Sequence, residues 1–478
     1  MVRGMSDEGG LLARAADRFT GWAERWIPDA FVFALVATVI VLGTAIVTEG
    51  WSKTDDVLLI WGKGFFSLLS FTMQMSLVVI AGYVLATTRP VHALIRRLAS
   101  LPRSPRAAVA FVALVAMLTS WINWGFSLMF SAMLAKEIAR QVRVVDYRAL
   151  AAASFLGLGS IWAQGLSGSA ALQMATPTAL PQAIRRIVEA GGAVPGGVIP
   201  LEHTIFLWQS LVSCVIEIAI VTLLMYFMAP TGERARTAES MGIDLGTSPG
   251  AEPDPAKPGA RAPSERLEHS PITTALIVAA ALAFLVLYFA RAERVLHAIT
   301  LDIIVFAFLT AGMALHGTPA RLMRAVRDAT PAVWGIVLQF PFYAGMAAII
   351  SETHLNERIA SWFVRVSTPG SYPALIATYS AALGVFVPSG GSKWVIEAPY
   401  VMKAAHVHHV HLGWMVAVYD LGEALANLIQ PFWMLPILGL FGLRARDVMG
   451  YTFLVFLVLA PIVLVLVTLF GATLHYPL

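Results

Sequence analysis

Seven apolar runs of roughly bilayer length, at 31–47, 65–87, 204–228, 272–289, 301–315, 332–350 and 448–470, decide what this chain can become. Inside a hydrocarbon core each backbone N–H and C=O must find its partner within the protein, and a helix supplies those partners internally. The chain therefore reads as an all-α polytopic membrane protein. Only 13% of its 478 residues are charged, against about 25% in soluble domains, so no polar shell is available for a soluble fold. The formal charge of +4 reflects basic residues held on one side of a membrane, not an affinity for nucleic acid. Cys214 is the one cysteine, so no intramolecular disulfide forms. Residues 1–30 are polar and mixed in charge, show no cleavage pattern, and read as a cytoplasmic N-terminus.

The segment 107–140 is basic at both ends. Arg89, Arg96, Arg97, Arg103 and Arg106 precede or open it; Lys136, Arg140, Arg143 and Arg148 close or follow it. The positive-inside rule places both flanks in the cytoplasm, so the segment enters and leaves by one face. Its middle reads "TSWINWG", and about twelve apolar residues before it give only about 18 Å of helix. That predicts a re-entrant hairpin with its tip at 119–125. The same sign pattern puts Arg234, Arg236, Arg321, Arg324, Arg327, Arg444 and Arg446 inside, and leaves Lys53, Lys63, Arg185 and Arg186 outside. Two stretches, 149–179 and 412–440, are apolar but interrupted by polar residues, Pro and Gly, and read as broken spans. Residues 230–271, rich in Pro, Ala, Gly and acidic residues, read as a disordered cytoplasmic linker.

The chain repeats itself weakly but in order. Gln74 precedes the first tip residue Asn123 by 49 positions, and Gln339 precedes Ser389 by 50. Each Gln is followed by an apolar run, an amphipathic connector ("VHALIRRLAS" or "LNERIASWFV"), a short arm, a polar tip and a second arm. The first repeat is 31–229, with hairpin 107–140 and broken span 149–179. The second is 298–471, with hairpin 372–405 and broken span 412–440. A single span at 272–290 inverts the second repeat, so the two hairpins enter from opposite faces and their tips meet. Gln74 and Gln339 occupy matching places, where cross-span bonding and plain packing are both open.

The second tip lies in "FVPSGGSKWVIEAP". Pro388 ends the first arm because it cannot continue the helical ladder. Gly390 and Gly391 allow a close turn, and Ser392 is suited to cap the following half-helix. Free N–H groups at that helix start form an anion site, and Lys393 adds a full positive charge. A lone ammonium at such depth is costly and calls for a partner or a function. Glu397, at i+4, is the internal partner that would neutralise it.

These residues resemble a known family. "SWINWGFSLMFSAMLAKEIAR", "GGVIPLEHTIF" and "VFVPSGGSKWVIEAP" are similar to the short-chain fatty acid transporter family, carriers of the acetoacetate and butyrate type, over about 19–470 apart from the linker. The resemblance implies inverted repeats with two opposed re-entrant hairpins and two broken transmembrane helices. It also implies a homodimer in a bacterial cytoplasmic membrane and an elevator-like motion. It implies that Ser120, Asn123, Gly125, Ser389, Gly390, Gly391 and Ser392 line the substrate site. The broken stretches "GLSGSA", 165–170, and "DLGEALANLIQP", 420–431, would complete it. Lys393 stands where the resemblance implies an uncharged residue, which argues against sodium at that tip.

On this reading the helix starts and Lys393 hold a substrate carboxylate, and Trp121, Trp124, Phe386 and Trp394 shelter its short tail. Trp is also common at membrane interfaces, the plainer account of each. The coupling ion stays open between sodium and a proton. Sodium would take oxygens from Asn123, Ser167, Ser169, Asn427 and unwound carbonyls. A proton would ride on Glu397, Asp420, Glu423 or Glu217, each of which is otherwise a satisfied buried group. "HVHHVH", His406 to His411, looks like a metal tract but reads as an exposed connector. No ATP loop, haem or zinc signature, or nucleophile triad is present, so no cofactor and no enzyme activity are expected. The expected partners are a short-chain carboxylate, membrane lipid and a second copy of the chain. A secondary carrier of small monocarboxylates thus competes with a cation/proton antiporter on the same scaffold, and with a membrane-embedded scaffold or enzyme subunit.

Overall fold

Polar side chains and prolines set where the helices begin. In the computed structural model, which describes residues 30–167, 169–245, 263–293, 295–387, 389–430 and 432–478, Ser104 accepts a hydrogen bond from the Ala107 N–H and Pro105 opens the helix Pro105–Ile122. Thr300 caps Leu301–His316 in the same way, and that helix stops at Gly317, whose φ of 72° is the left-handed form glycine tolerates. The described residues are all helix, turn or loop.

The fold is that of an all-α polytopic membrane protein built from inverted repeats. Each half runs in one order: a span, Leu69–Ala86 or Trp334–Glu352; a connector, Arg89–Ala99 or Leu355–Val366; a two-armed hairpin; a broken span; and a closing helix, Trp208–Met228 or Ala445–Gly471. The first hairpin pairs Pro105–Ile122 with Trp124–Gln141, and the second pairs Tyr372–Phe386 with Gly390–His408. The helix Pro271–Ala290 stands between the halves with most of its apolar side chains exposed, as a lipid-facing span requires. The hairpins and broken spans form the interior. Every residue of Leu412–Asn427 is buried.

Three local expectations change. Each arm of the first hairpin has 18 residues, about 27 Å of helix, longer than the twelve-residue arm read from hydropathy. The helix starts at Pro105, before the apolar run, and Thr119 stays helical by back-bonding to the Val115 carbonyl at 2.7 Å. The break is Asn123 alone, not the whole of 119–125. Second, Thr54–Gly64 forms a helix bent by 119° from the one before it and packed on Trp334–Glu352, in a stretch assigned no element above. Third, the linker is not disordered from its start. Arg236 donates its N–H to Asp146 Oδ2 (2.9 Å) and accepts from the Tyr147 N–H (2.8 Å), and Arg140 donates to the Leu245 carbonyl (2.5 Å). Ala238 is buried, with Met241 and Ile243 packed against the core. These small apolar residues escape a composition argument because they are sparse. Residues 246–262 of the linker and the 1–29 segment lie outside the described residues.

Asp146 organises this corner. It is fully buried, caps Tyr147–Leu156 through the Ala149 N–H (2.9 Å), and pairs with Arg148 at 3.0 Å. Replacing Asp146 with Ala removes the cap, the ion pair and the anchor for residue 236 together. We expect a lower melting temperature in detergent and faster tryptic cleavage at Arg234 and Arg236, with a loss of about 1–3 kcal/mol; an unchanged cleavage rate would show that the segment is held by something else.

Candidate functional site

The first tip is built by one residue with extended backbone. Asn123 ends one arm and caps the next, accepting the Phe126 N–H at 2.8 Å. The Trp124 N–H donates to Ser167 Oγ (2.9 Å), and the Leu166 N–H donates to the Trp121 carbonyl (2.6 Å). The unwound part of the first broken span therefore satisfies the first tip. Across the arms, Ser127 Oγ donates to the Ala116 carbonyl at 2.7 Å. Gly82 presses the preceding span onto this tip: a Cβ there would lie 2.5 Å from the Phe126 nitrogen and 2.9 Å from Asn123 Oδ1. Ser120 is fully buried and its hydroxyl has no protein partner.

At the second tip the capping differs from expectation. Ser389, not Ser392, holds the N-cap position, and it makes no side-chain cap bond. Ser392 instead donates to Ser389 Oγ at 2.6 Å. The first turn at Gly390, Gly391 and Ser392 thus presents its N–H groups without a side-chain cap. Pro388 lies outside the described residues, as does the Phe386 side chain.

The two tips converge on Trp162. This residue belongs to the first broken span, which runs from Tyr147–Leu156 through a π turn, Gly157–Ile161, and a 3-10 turn, Trp162–Gln164, to Ser169–Ala175. The Trp162 ring centroid is 6.4 Å from that of Trp124 on the first tip. Its far edge lies where a Cβ on Gly390 would be, 2.5 Å away, so only glycine fits on the second tip. Trp433 closes the other side of Trp124 at 5.3 Å. The indole N–H groups of Trp124 and Trp162 are buried with no protein acceptor. The rings of Trp121 and Trp394 pack on other partners: the first on Phe206 (6.1 Å), the second on Tyr419 (4.7 Å).

Lys393 does not face the seam as a free cation. It is fully buried and pairs with Glu423 (2.7 Å) and Glu397 (3.1 Å). It also donates to the Ser380 carbonyl and Oγ, both at 2.7 Å, and lies 4.6 Å from the Tyr419 ring. Tyr419 in turn donates to the Gly390 carbonyl. One ammonium thereby ties both arms of the second hairpin to the helix Leu412–Asn427. The expected i+4 partner, Glu397, is present, and Glu423 is a second one from another element.

The broken spans satisfy each other. Asn427 Nδ2 donates to the Leu158 carbonyl (3.2 Å), and its Oδ1 accepts from Gln430 (2.8 Å). Asp420 Oδ2 accepts the Ala171 N–H at 3.2 Å. Ser167 is spent on the first tip, and the Ser169 side chain lies outside the described residues. Gln74 bonds across helices to Asp302 (2.5 Å), whereas Gln339 meets only Tyr343 one turn along its own helix (3.3 Å). The histidine tract is exposed only in part: Val407 and His409 are open, while His406 and His411 are tied to other elements. His406 donates from Nε2 to the Ile187 carbonyl (2.8 Å) and accepts from Tyr476 (2.9 Å). Burial, with His203 alongside, pushes the His411 imidazole down to about 4, so the neutral ring caps Leu412–Asn427 through the Trp414 N–H. The described residues hold no group of three His, Cys, Asp or Glu side chains placed for a metal.

Sequence reasoning missed Gly82, Trp162, Ser380 and Tyr419. Gly82 and Trp162 carry no motif, and their role exists only where helices cross. Ser380 and Tyr419 sit in apolar stretches whose local pattern says nothing of a lysine on another helix.

A family model described as Short chain fatty acid transporter matches residues 11–470. A protein of Escherichia coli (strain K12) named "Putative short-chain fatty acid transporter" is 34% identical over 463 residues, 96% of this chain and all of that one. A Haemophilus influenzae protein of the same name is 32% identical over 95% of this chain and 99% of its own. In structure the chain is similar to the Alcanivorax borkumensis YdaH transporter, described as having an unusual topology. The TM-score is 0.59 at 14% identity, over 93% of this chain and 98% of that one. It is also similar to Neisseria gonorrhoeae MtrF, described within a class of antimetabolite efflux pumps. There the TM-score is 0.62 at 14% identity, over 96% and 98% of the two chains.

The Lys393 cluster generates a stability test. Replacing Lys393 with Met leaves two buried carboxyl groups without their cation, a loss of about 3–5 kcal/mol. Adding Glu397→Gln and Glu423→Gln to Lys393→Met removes the stranded charge, and much of the melting temperature should return. A single Lys393→Met protein that melts like the wild type would contradict the clamp.

Proposed function

The chain belongs to the short chain fatty acid transporter family, and from that premise we propose that it carries small monocarboxylates, of butyrate or acetoacetate size, across a bacterial cytoplasmic membrane. The observation that supports this reading is the meeting of both hairpin tips on Trp162. The uncapped N–H groups of Gly390 to Ser392, the free Ser120 hydroxyl and the indole N–H groups of Trp124 and Trp162 supply donors for one carboxylate. The faces of Trp124, Trp162 and Trp433 supply an apolar wall for a short tail. Such a wall discriminates chain length weakly, since one methylene is worth about 1–3 kcal/mol. Lys393 acts one layer behind, holding the second tip in place.

Transport in this reading is coupled to cations. Among the described residues of the second hairpin, the broken spans and Trp208–Met228, Lys393 is the one fully buried Lys or Arg, and it stands among four buried carboxyl groups: Glu397, Glu423, Asp420 and Glu217. A desolvated excess of negative charge is unfavourable by many kcal/mol unless protons or cations neutralise it. A substrate anion adds one more negative charge, so it enters only in company with a cation. In keeping with the inverted repeats, we place the N-terminus in the cytoplasm and assign the carrier a dimeric, elevator-like cycle, with hairpins and broken spans moving as one unit.

Purified protein in liposomes should accumulate labelled butyrate against an imposed cation gradient. Trp162→Phe keeps the ring but removes its N–H, and Ser120→Ala removes the hydroxyl. Each should lower butyrate uptake roughly tenfold, about 1.4 kcal/mol. Liposomes that ignore butyrate while moving sodium in a pH-dependent manner would instead favour a cation/proton antiporter.

A further inference from the structure

Behind the tips, a narrow void lies between the two broken spans and Trp208–Met228. It is lined by Gln164, Ser210 and Asp420, with Ala163, Ile205, Ala417 and Leu421 closing it. It has room for about one occupant of the size of a water molecule. All three polar liners are buried, Gln164 to 5%, Ser210 to 5% and Asp420 to 1% exposure.

With Asp420 ionised, their hydrogen bonding leaves acceptors and no donor for the void. Asp420 uses Oδ2 on the Ala171 N–H, while Oδ1 has no protein partner. Gln164 donates its amide nitrogen to Glu217 Oε2 at 3.0 Å. With Glu217 ionised, its carboxylate accepts from that nitrogen only, and Gln164 Oε1 is the free end. That oxygen too has no partner. Ser210 spends its proton on the Thr204 carbonyl at 2.6 Å, so only its lone pairs remain. Water in such a place has two protons for three acceptors, and nothing donates to its own oxygen. A small cation satisfies all three oxygens at once.

We propose that Asp420 Oδ1, Gln164 Oε1 and Ser210 Oγ bind one sodium ion. The donor set is all oxygen, which suits a hard ion and not a soft transition metal. It contains one carboxylate, which matches a single positive charge. Glu217, held through Gln164, orients the amide without entering the void. An ion there joins Trp162–Gln164 of the first broken span, Leu412–Asn427 of the second and Trp208–Met228, so its arrival and departure change how those three elements are held together. Only one residue, Ala163, separates the liganding Gln164 from Trp162 on the substrate seam, which links ion and carboxylate occupancy through one short turn.

As an account of coupling this inference rests on the carrier reading, so the test measures the ion alone. Purified protein in choline chloride, with no carboxylate present, is titrated with radiolabelled sodium. Wild type should bind it saturably, and unlabelled sodium should displace it far better than choline or potassium. Gln164→Leu and Ser210→Ala should each weaken sodium binding tenfold or more. Ser210→Ala removes one oxygen and little volume, and its melting temperature in choline reports that the fold is kept. No saturable binding in the wild type, or wild-type binding by a folded Ser210→Ala protein, overturns the site. Butyrate uptake that needs no sodium, together with absent binding, overturns the ion site alone. Sodium binding without butyrate uptake overturns the carrier reading alone.

Discussion

A chain that breaks its helices inside an apolar interior has to satisfy the freed backbone groups from within, because no water is at hand. Here the first tip and the two broken spans complete one another. The first tip donates to Ser167 and accepts from Leu166 of the first broken span. The second broken span donates from Asn427 to the Leu158 carbonyl and accepts at Asp420 from Ala171. These irregular stretches therefore depend on one another for hydrogen-bond partners. That is why hairpins and broken spans lie together at the centre, and why the uniform helices stand around them with apolar faces outward.

Charge follows the same logic. Lys393 is surrounded by two carboxyl groups, a hydroxyl, a carbonyl and a tyrosine ring. A buried ammonium so enclosed contributes position more than net stability, since desolvation offsets much of its attraction to the carboxylates. Its effect is to hold the two arms and Leu412–Asn427 in one register. In the carrier reading proposed above, the anion-binding duty expected of it falls to groups that have no protein partner: helix N–H donors, a hydroxyl and two indoles. Trp124, Trp162 and Gly390 meet at the seam, whereas the lysine ammonium is turned to Glu397, Glu423 and Ser380.

Close approach makes the seam possible. Gly82 lets a span touch the first tip, and Gly390 lets Trp162 touch the second. A methyl group at either position would overlap atoms of the neighbouring element. The aromatic wall and the two tips therefore meet at distances that only absent side chains permit.

Much of the architecture was legible from local pattern. Apolar run length named the spans, basic flanks named the first hairpin, and the 49- and 50-residue spacings from Gln74 and Gln339 paired the halves. These follow from one-dimensional rules: a helix of given length and polarity has few places to go in or near lipid. Asn123, Gly390 and Gly391 were legible as tip residues for the same reason, since polar and flexible residues break apolar helices. The partners of Lys393 were only half legible. Glu397 lies one turn away on the same helix, whereas Glu423 and Ser380 come from other helices. The place of Trp162 between the tips, the void beside Asp420 and the docking of residues 236–245 were decided by tertiary structure alone. Each depends on which faces of non-adjacent helices touch, and helical periodicity in a membrane chain, apolar nearly all round, does not record which face looks inward.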